Sequence, residues 1–259
     1  MPTPMTHVVS PRESEPLRVL VTGATSGVGE ATAKLFADRG ARVALVGRRA
    51  EELERVSGEI GAAALAIAAD ISDPIAASAA VQRAIDVFGD LDIAVNAAGI
   101  AGFALLEDLD AELWRQVIDT NLTGPFHVAR TAGLHMRSSG GGAIVNVASD
   151  LASMGVAGLT HYSASKAGLV GLTRALAIEL APSVRVNAVC PGPIDTPMLR
   201  AGLEEADDPV RALREKETTV PLNRLADPGE VAAAIYFLAV EGTFATGTSM
   251  AFDGGTSAA

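Results

Sequence analysis

Short apolar runs without polar alternation recur along the chain, each separated from the next by a longer stretch of helical character. Residues 19–21, 43–46, 64–68, 91–95, 143–147 and 184–189 have the length and aliphatic content of strands. A strand that buries one face alternates polar with apolar, whereas these runs do not, so they read as parallel strands covered on both faces. Between them lie helical stretches at 30–39, 50–60, 111–136 and 162–180, and one more is opened by Pro74, whose missing N–H costs nothing in a first turn. In the second stretch Glu51, Glu52, Glu54 and Arg55 make a solvated face. Repeated βαβ units predict an α/β fold: a Rossmann-type doubly wound parallel sheet of about seven strands with helices on both faces. No composition break or internal repeat divides residues 17–259, which read as a single domain. Residues 1–16 carry Pro2, Pro4, Pro11 and Pro16 among polar residues and read as a disordered tail, not a signal peptide.

Two segments depart from this rhythm. Residues 191–227 hold Pro191, Pro193 and Pro197 followed by a charged segment, 204–217. Such a stretch is either a lid over a site at the strand ends or a solvated excursion. The helix at 162–180 carries Leu169, Val170, Leu172, Leu176 and Ile178 around nearly its whole circumference. An outer-layer helix that is apolar all round predicts a partner subunit over its open side, hence a homotetramer or homodimer.

Composition narrows the function. With 20 basic and 31 acidic side chains the formal net charge is −11, which argues against nucleic acid or an anionic membrane surface as partner. Cys190 is the single cysteine; it makes no internal disulfide and no cysteine-rich metal site, so a reducing cytoplasm is expected. No apolar run reaches the roughly 18 residues of a membrane span. His7, His127, His135 and His161 have no ligand spacing, and no metal is expected. Aromatics make up only 4% of the chain, which suits close helix–sheet packing.

Candidate chemistry begins after the first strand. Gly23, Thr25, Ser26, Gly27, Val28 and Gly29 fall where strand turns into helix, spaced G-x-x-x-G-x-G. Glycines there allow positive φ and a close approach of backbone to a pyrophosphate, which the helix start meets with free N–H groups. An ordinary tight turn gives a similar cluster. At the end of the second strand stands Gly47-Arg48-Arg49, with no carboxylate. A guanidinium reads a ribose 2′-phosphate, whereas an acidic residue would read the 2′-hydroxyl, so NADP(H) is favoured and NAD(H) remains possible. The other reading of Arg48 and Arg49 is solvated loop charge.

Tyr162 and Lys166 are four apart at a helix start and so share a face. A phenol near pKa 10 exchanges protons poorly at neutral pH, and a neighbouring ammonium is expected to lower that value. Ser149 ends the fifth strand, 13 residues earlier, where its hydroxyl is suited to donate to an oxygen gaining charge. Asn121 lies within an apolar helical stretch and needs a partner.

Taken together these motifs make the chain resemble the short-chain dehydrogenase/reductase family, in its form of about 250 residues, over residues 17–256. Residues 22–29 match the family's T-G-x-x-x-G-x-G. Asp70, with Ile71 beside it, matches the acidic residue at the adenine ring. Asn96, Ala97, Ala98 and Gly99 match N-N-A-G with Ala97 replacing the second Asn. Asn121, Ser149, Tyr162 and Lys166 match the catalytic tetrad. Pro191, Gly192, Ile194 and Thr196 fall in P-G-x-x-x-T, and Asp253-Gly254-Gly255 matches the terminal D-G-G. The resemblance implies an NAD(P)-dependent oxidoreductase that interconverts a ketone and a secondary alcohol. In it Tyr162 is the general acid or base, and Lys166 lowers its pKa and holds the nicotinamide ribose. Ser149 polarises the substrate oxygen, Asn121 keeps a water in a proton relay to Lys166, and Thr196 with the Ile194 backbone holds the carboxamide.

Asp150, Leu151, Val156, Leu159, Pro193, Met198, Leu199 and Leu203 are the expected substrate pocket; being mostly apolar, it suits a small hydrophobic ketone or alcohol. Asp150 would favour a hydroxyl-rich substrate if inside the pocket and is solvated if on the rim. His161, though next to Tyr162, need not face the same way. Two other classes stay in view. A carrier-protein-linked 3-oxoacyl reductase would use Arg130, Arg137 and Arg174 to meet an acidic carrier, which the net charge disfavours. A catalytically silent NADP-binding regulator would be expected to lose a tetrad position, and none is missing.

Overall fold

Seven strands form one parallel sheet in the order β3-β2-β1-β4-β5-β6-β7. In the computed structural model these are β1 (Arg18–Thr22), β2 (Arg42–Gly47), β3 (Ala64–Ala68), β4 (Ile93–Asn96), β5 (Gly142–Val147), β6 (Val184–Pro191) and β7 (Ser249–Phe252). The structure describes residues 15–204 and 206–258; the expected disordered tail therefore lies, for residues 1–14, outside the described residues.

The uniform apolar strands divide their side chains between two cores, since successive residues point to opposite faces. Leu20, Ala44, Ala94, Ile144 and Val186 pack with α3 (Pro74–Phe88), α5 (Gly124–Ser139) and α6 (Thr160–Leu180) through Val81, Phe88, Met136 and Leu180. Val19, Val21, Val43, Leu45, Val95 and Val145 pack on the other face with α1 (Gly27–Asp38), α2 (Ala50–Ile60) and α9 (Pro228–Tyr236), through Phe36, Leu53 and Ile235. Pro74 occupies the first turn of α3, behind Asp73, whose carboxylate accepts from the N–H groups of Ile75 and Ala76. After β3 the chain returns to lay β4 beside β1. That reversal opens a crevice at the carboxyl ends of the strands, where ligands of doubly wound folds bind.

Two expectations are corrected. The stretch 111–136 is not one α-helix: α4 (Ala111–Ile118) passes into α5 through a turn of π-helix, Asp119–Thr123, with Asn121 at its middle. Such a widened turn re-aims side chains, and here it lets the Asn121 amide leave the helix for the backbone of Ile100. The segment after β6 is not wholly irregular, because it carries α7 (Pro197–Glu204) and α8 (Pro209–Thr218) and returns to the sheet side through an isolated bridge between Ile194 and Ala226. Among the described residues no helix is long and apolar enough to cross a membrane.

Candidate active site

At the carboxyl ends of β1, β4, β5 and β6 lies a cleft of about 310 Å³. One half is built by the glycine turn between β1 and α1. Gly23 has φ +68°, and a Cβ on it would sit 2.6 Å from the Ala98 Cα; one on Gly29 would sit 2.2 Å from the Gly23 carbonyl oxygen. The turn is thus pressed against the loop after β4, where the Ala98 N–H donates to Thr22 Oγ1 at 3.2 Å. Ser26 precedes α1 in extended conformation and makes no side-chain cap, so the first-turn N–H groups remain available to an anion. The arginine after β2 is held in place: Arg49 Nη2 donates to Thr25 Oγ1 at 2.6 Å and Ser26 Oγ at 2.9 Å. Arg48 stands 3.7 Å from Asp70. Thr25, Ser26, Gly27, Val28, Arg48, Arg49, Asp70, Ile71, Ala97, Ala98 and Gly99 all line this half. A glycine cradle and an uncapped helix start, with two guanidiniums beside them, fit the pyrophosphate of a dinucleotide.

The other half carries Ser149, Tyr162, Lys166, Pro191, Gly192, Ile194 and Thr196. Ser149 follows β5, and Tyr162 and Lys166 lie one turn apart on α6, which packs against β6 and buries Lys166 to 4% exposure. Lys166 Nζ donates to the Val147 carbonyl at 2.8 Å and sits 5.6 Å from the centre of the Tyr162 ring. Burial pushes the ammonium down to about 8. The Tyr162 phenol is pushed up to about 12, first by burial, eased by a hydrogen bond with Ser149 and raised again by the charge of Asp150. A phenol lowered by its lysine is therefore not what the chain's own charges produce. The ammonium is occupied by a backbone carbonyl, and the nearest carboxylate acts in the opposite sense.

Asn121 does not line the cleft: it is fully buried, Oδ1 accepts from the Ile100 N–H at 2.8 Å, and Nδ2 donates to the Ile100 carbonyl at 2.8 Å and to Ser165 Oγ at 3.1 Å, so both amide hydrogens are taken and neither is free to hold the expected relay water. It clamps the loop after β4 at a point where a Cβ on Gly99 would meet Asn121 Oδ1 at 3.4 Å and Lys166 Nζ at 3.5 Å. Asn96 is a correction, because it does not line the cleft. Its Nδ2 donates to the Pro125 carbonyl at 3.3 Å and to Asn146 Oδ1 at 2.9 Å, and Asn146 donates to Thr173 Oγ1 at 2.9 Å. This buried polar chain ties β4, β5 and α6 together behind the site, register partner to register partner.

The expected substrate wall does not assemble as one surface. Met198 lines the cleft, while Pro193 lines a neighbouring cavity of about 570 Å³ with Val220, Leu222 and Phe252. Leu151, Leu159, Leu199 and Leu203 line neither, and Val156 is exposed. The segment carrying Leu151, Val156 and Leu159 is drawn to the loop after β4, with the Ala104 N–H donating to the Gly158 carbonyl at 3.0 Å. Asp150 is buried beside Ser149, lining neither cavity, and is thus not a rim residue. His161 is fully buried, neither ring nitrogen has a hydrogen-bond partner, and it lies on the Gly102 side, away from the cleft lining. Residues 46, 69, 100, 120, 147 and 148 line the cleft without having been named from the sequence as site residues; the signal pointing to them is adjacency to motif residues.

Comparison with known proteins gives a consistent picture. A family model described as enoyl-(acyl carrier protein) reductase matches residues 23–257. The chain is 44% identical over 244 residues to cis-4-hydroxycyclohexanecarboxylate dehydrogenase of Sinomonas cyclohexanicum, covering 92% of this chain and 96% of that protein. Among solved structures it is similar to levodione reductase, with TM-score 0.91 and 34% identity over 95% of this chain and 100% of the other. It is also similar to 3-ketoacyl-(acyl-carrier-protein) reductase of Brucella melitensis complexed with NADH, with TM-score 0.86 and 37% identity over 94% and 99% of the two chains.

Proposed function

The chain belongs to the short-chain dehydrogenase/reductase family and is an oxidoreductase acting on alcohol or carbonyl groups; we propose that it interconverts a ketone and a secondary alcohol, with Tyr162 as general acid and base. The observation that supports this reading is that Ser149, Tyr162 and Lys166 line the same cleft as the glycine turn. A bound nicotinamide dinucleotide supplies the hydride. The N–H groups at the start of α1 would meet its pyrophosphate, Asp70 and Ile71 its adenine, and Ile194 and Thr196 its carboxamide. Tyr162, protonated at neutral pH as any phenol is, gives its proton to the oxygen that becomes an alkoxide, and takes it back in oxidation. Ser149 donates to the same oxygen. Lys166 holds the ribose hydroxyls and moves the proton to and from Tyr162. Asn121 fixes the loop after β4 through both backbone atoms of Ile100.

Arg49, oriented by Thr25 and Ser26, and Arg48 form the subsite for a 2′-phosphate, and we favour NADP(H) over NAD(H). Arg49→Ala should lower the NADP⁺/NAD⁺ ratio of kcat/KM about tenfold or more, the effect of one charge-assisted hydrogen bond; a wild-type enzyme that prefers NAD⁺ would reverse the assignment. Ile178 stands 81% exposed on α6, which supports a homotetramer or homodimer, and a monomer by light scattering would contradict it. Cofactor depletion across ketones, secondary alcohols and a 3-oxoacyl carrier-protein thioester, with both cofactors, tests the reaction class. Turnover of the thioester alone would replace the ketone reading with a carrier-linked one. No turnover of any member, with cofactor still bound, would leave a silent NADP-binding protein.

A further inference from the structure

Ser149 has one proton, and two acceptors compete for it. Its Oγ donates to Asp150 Oδ1 at 2.8 Å, while the Leu151 N–H donates both to that same oxygen at 2.8 Å and to Ser149 Oγ at 3.2 Å. Ser149 is also hydrogen-bonded to Tyr162. Asp150 is 8% exposed, and among the described residues its only hydrogen-bond donors are Ser149 and Leu151. A hydrogen bond to an ionised carboxylate is about twice as strong as a neutral one. So with Asp150 charged, the Ser149 proton is turned away from the oxygen it is meant to stabilise.

We propose that Asp150 is a positioning residue that sets the direction of the Ser149 hydroxyl, withholding its proton from the substrate oxygen when ionised and releasing it when protonated. This rests on the assignment of Ser149 and Tyr162 to carbonyl reduction. In the released state the carboxyl O–H donates to Ser149 Oγ and Ser149 donates to the substrate oxygen; one proton taken from solvent accounts for the change. The groups facing Asp150 make that protonation accessible. Burial and the negative charge of Asp253, after β7, push its carboxyl above the ordinary range, and Lys216 on α8 opposes them. Cys190 on β6 and Tyr162 on α6 feel its charge in turn.

The test has one arm free of activity and one that uses it. Carbon-13 NMR of labelled aspartate and tyrosine follows the Asp150 carboxyl and the phenols; the chain has two tyrosines, and Tyr236→Phe assigns them. Ser149→Ala should move the Asp150 midpoint upward, since it loses the donor that holds it down, and Asp150→Asn should move the Tyr162 midpoint downward. Wild-type kcat/KM for reduction of a neutral ketone identified by the screen should rise about tenfold or more as pH falls from 7.5 to 4.5, a fraction of what an oxyanion donor contributes. Lys166, near 8, titrates only at the upper edge of that window, so the rise between pH 6 and 4.5 is the part that reads Asp150. Asp150→Asn should be flat across it, and Asp150→Ala, which removes the acceptor, should match it. An Asp150 midpoint indifferent to Ser149→Ala, or an acid limb that survives in both Asp150 variants, overturns the proposal. If no ketone is turned over, the reduction reading fails, while the NMR arm still reads the Ser149–Asp150 coupling.

Discussion

The two ends of the sheet both bury charge, and they do so on opposite terms. At the amino end the buried charges of β1 and of the loop before β4 have counter-charges, whereas Arg185 at the start of β6 gives its guanidinium to the backbone carbonyls of Leu238, Ala239, Gly242 and Ala245. Arg18, on β1, donates through Nε and Nη2 to both carboxylate oxygens of Asp92 at 2.8 Å, lies 3.3 Å from Asp90, and Asp90 bonds His135 Nε2 at 2.6 Å. Burial works against the Asp90 carboxylate, yet His135, the Leu91 N–H and Arg18 bring it below the usual carboxylate range. At the carboxyl end the buried charges lack such partners. Lys166 has a carbonyl, Asp150 has a hydroxyl and an N–H, and the Tyr162 phenol is held neutral between them. Matched charge is held in one protonation state by its partners, whereas unmatched charge is disfavoured by burial, so Lys166 gives its proton up more readily and Asp150 takes one more readily. The fold is thus pinned at one end and primed at the other.

Substitutions at the two ends should separate activity from stability. Tyr162→Phe is expected to cost on the order of 10³ in kcat, within the span of general acid–base catalysis, with cofactor affinity and melting temperature unchanged or slightly raised. Residual activity above about a tenth of wild type would mean that another group carries the proton. Arg18→Met should do the converse: kcat per folded molecule within about twofold, and stability lower by about 3 kcal/mol, because two carboxylates lose their buried partner. Denaturant unfolding with parallel active-site titration reads both quantities. Equal losses of activity and stability in either variant would erase the distinction between the ends.

The sheet was legible because six of its strands are apolar on both faces, and a run such as residues 43–46 admits few other structures. The seventh strand, Ser249–Phe252, is half-exposed and opens on a serine, so its own composition does not mark it. The motif residues announced the site through rare functional groups at fixed spacing. What stayed hidden depends on contacts between distant segments. The π-turn at Asn121 exists for a bond to Ile100, 21 residues away, and Asn96 is drawn out of the cleft by Asn146, 50 residues away. Cleft-lining residues such as Ile100 and Ala148 have apolar side chains and no chemistry to advertise. Met198 reaches the cleft while Leu199 and Leu203 on the same helix do not, a distinction set by the placement of α7, not by the hydrophobicity the three share.

Lys166 gives the finest test of the contrast, because its expected cost to the fold is small and has a definite pH signature. Its folded value of about 8 lies below the ordinary 10.5, so folding disfavours the proton. Below about pH 8 the ammonium is carried in both states and the fold bears the full penalty, at most about 3 kcal/mol for a shift of this size. Between 8 and 10.5 the unfolded chain binds more protons than the folded one, so stability from this group rises with pH and the penalty is gone above 10.5. Lys166→Met keeps the aliphatic stem, removes the charge and forgoes the bond to Val147. It should abolish turnover and yet melt higher than wild type at pH 7, with the gap closing as pH is raised towards 10.5. Tyr162, whose value lies above its ordinary one, erodes stability only beyond pH 10 and does so in both proteins, leaving the difference untouched. A variant that melts lower than wild type at pH 7, or a gap that widens with pH, would show that the buried ammonium is matched after all.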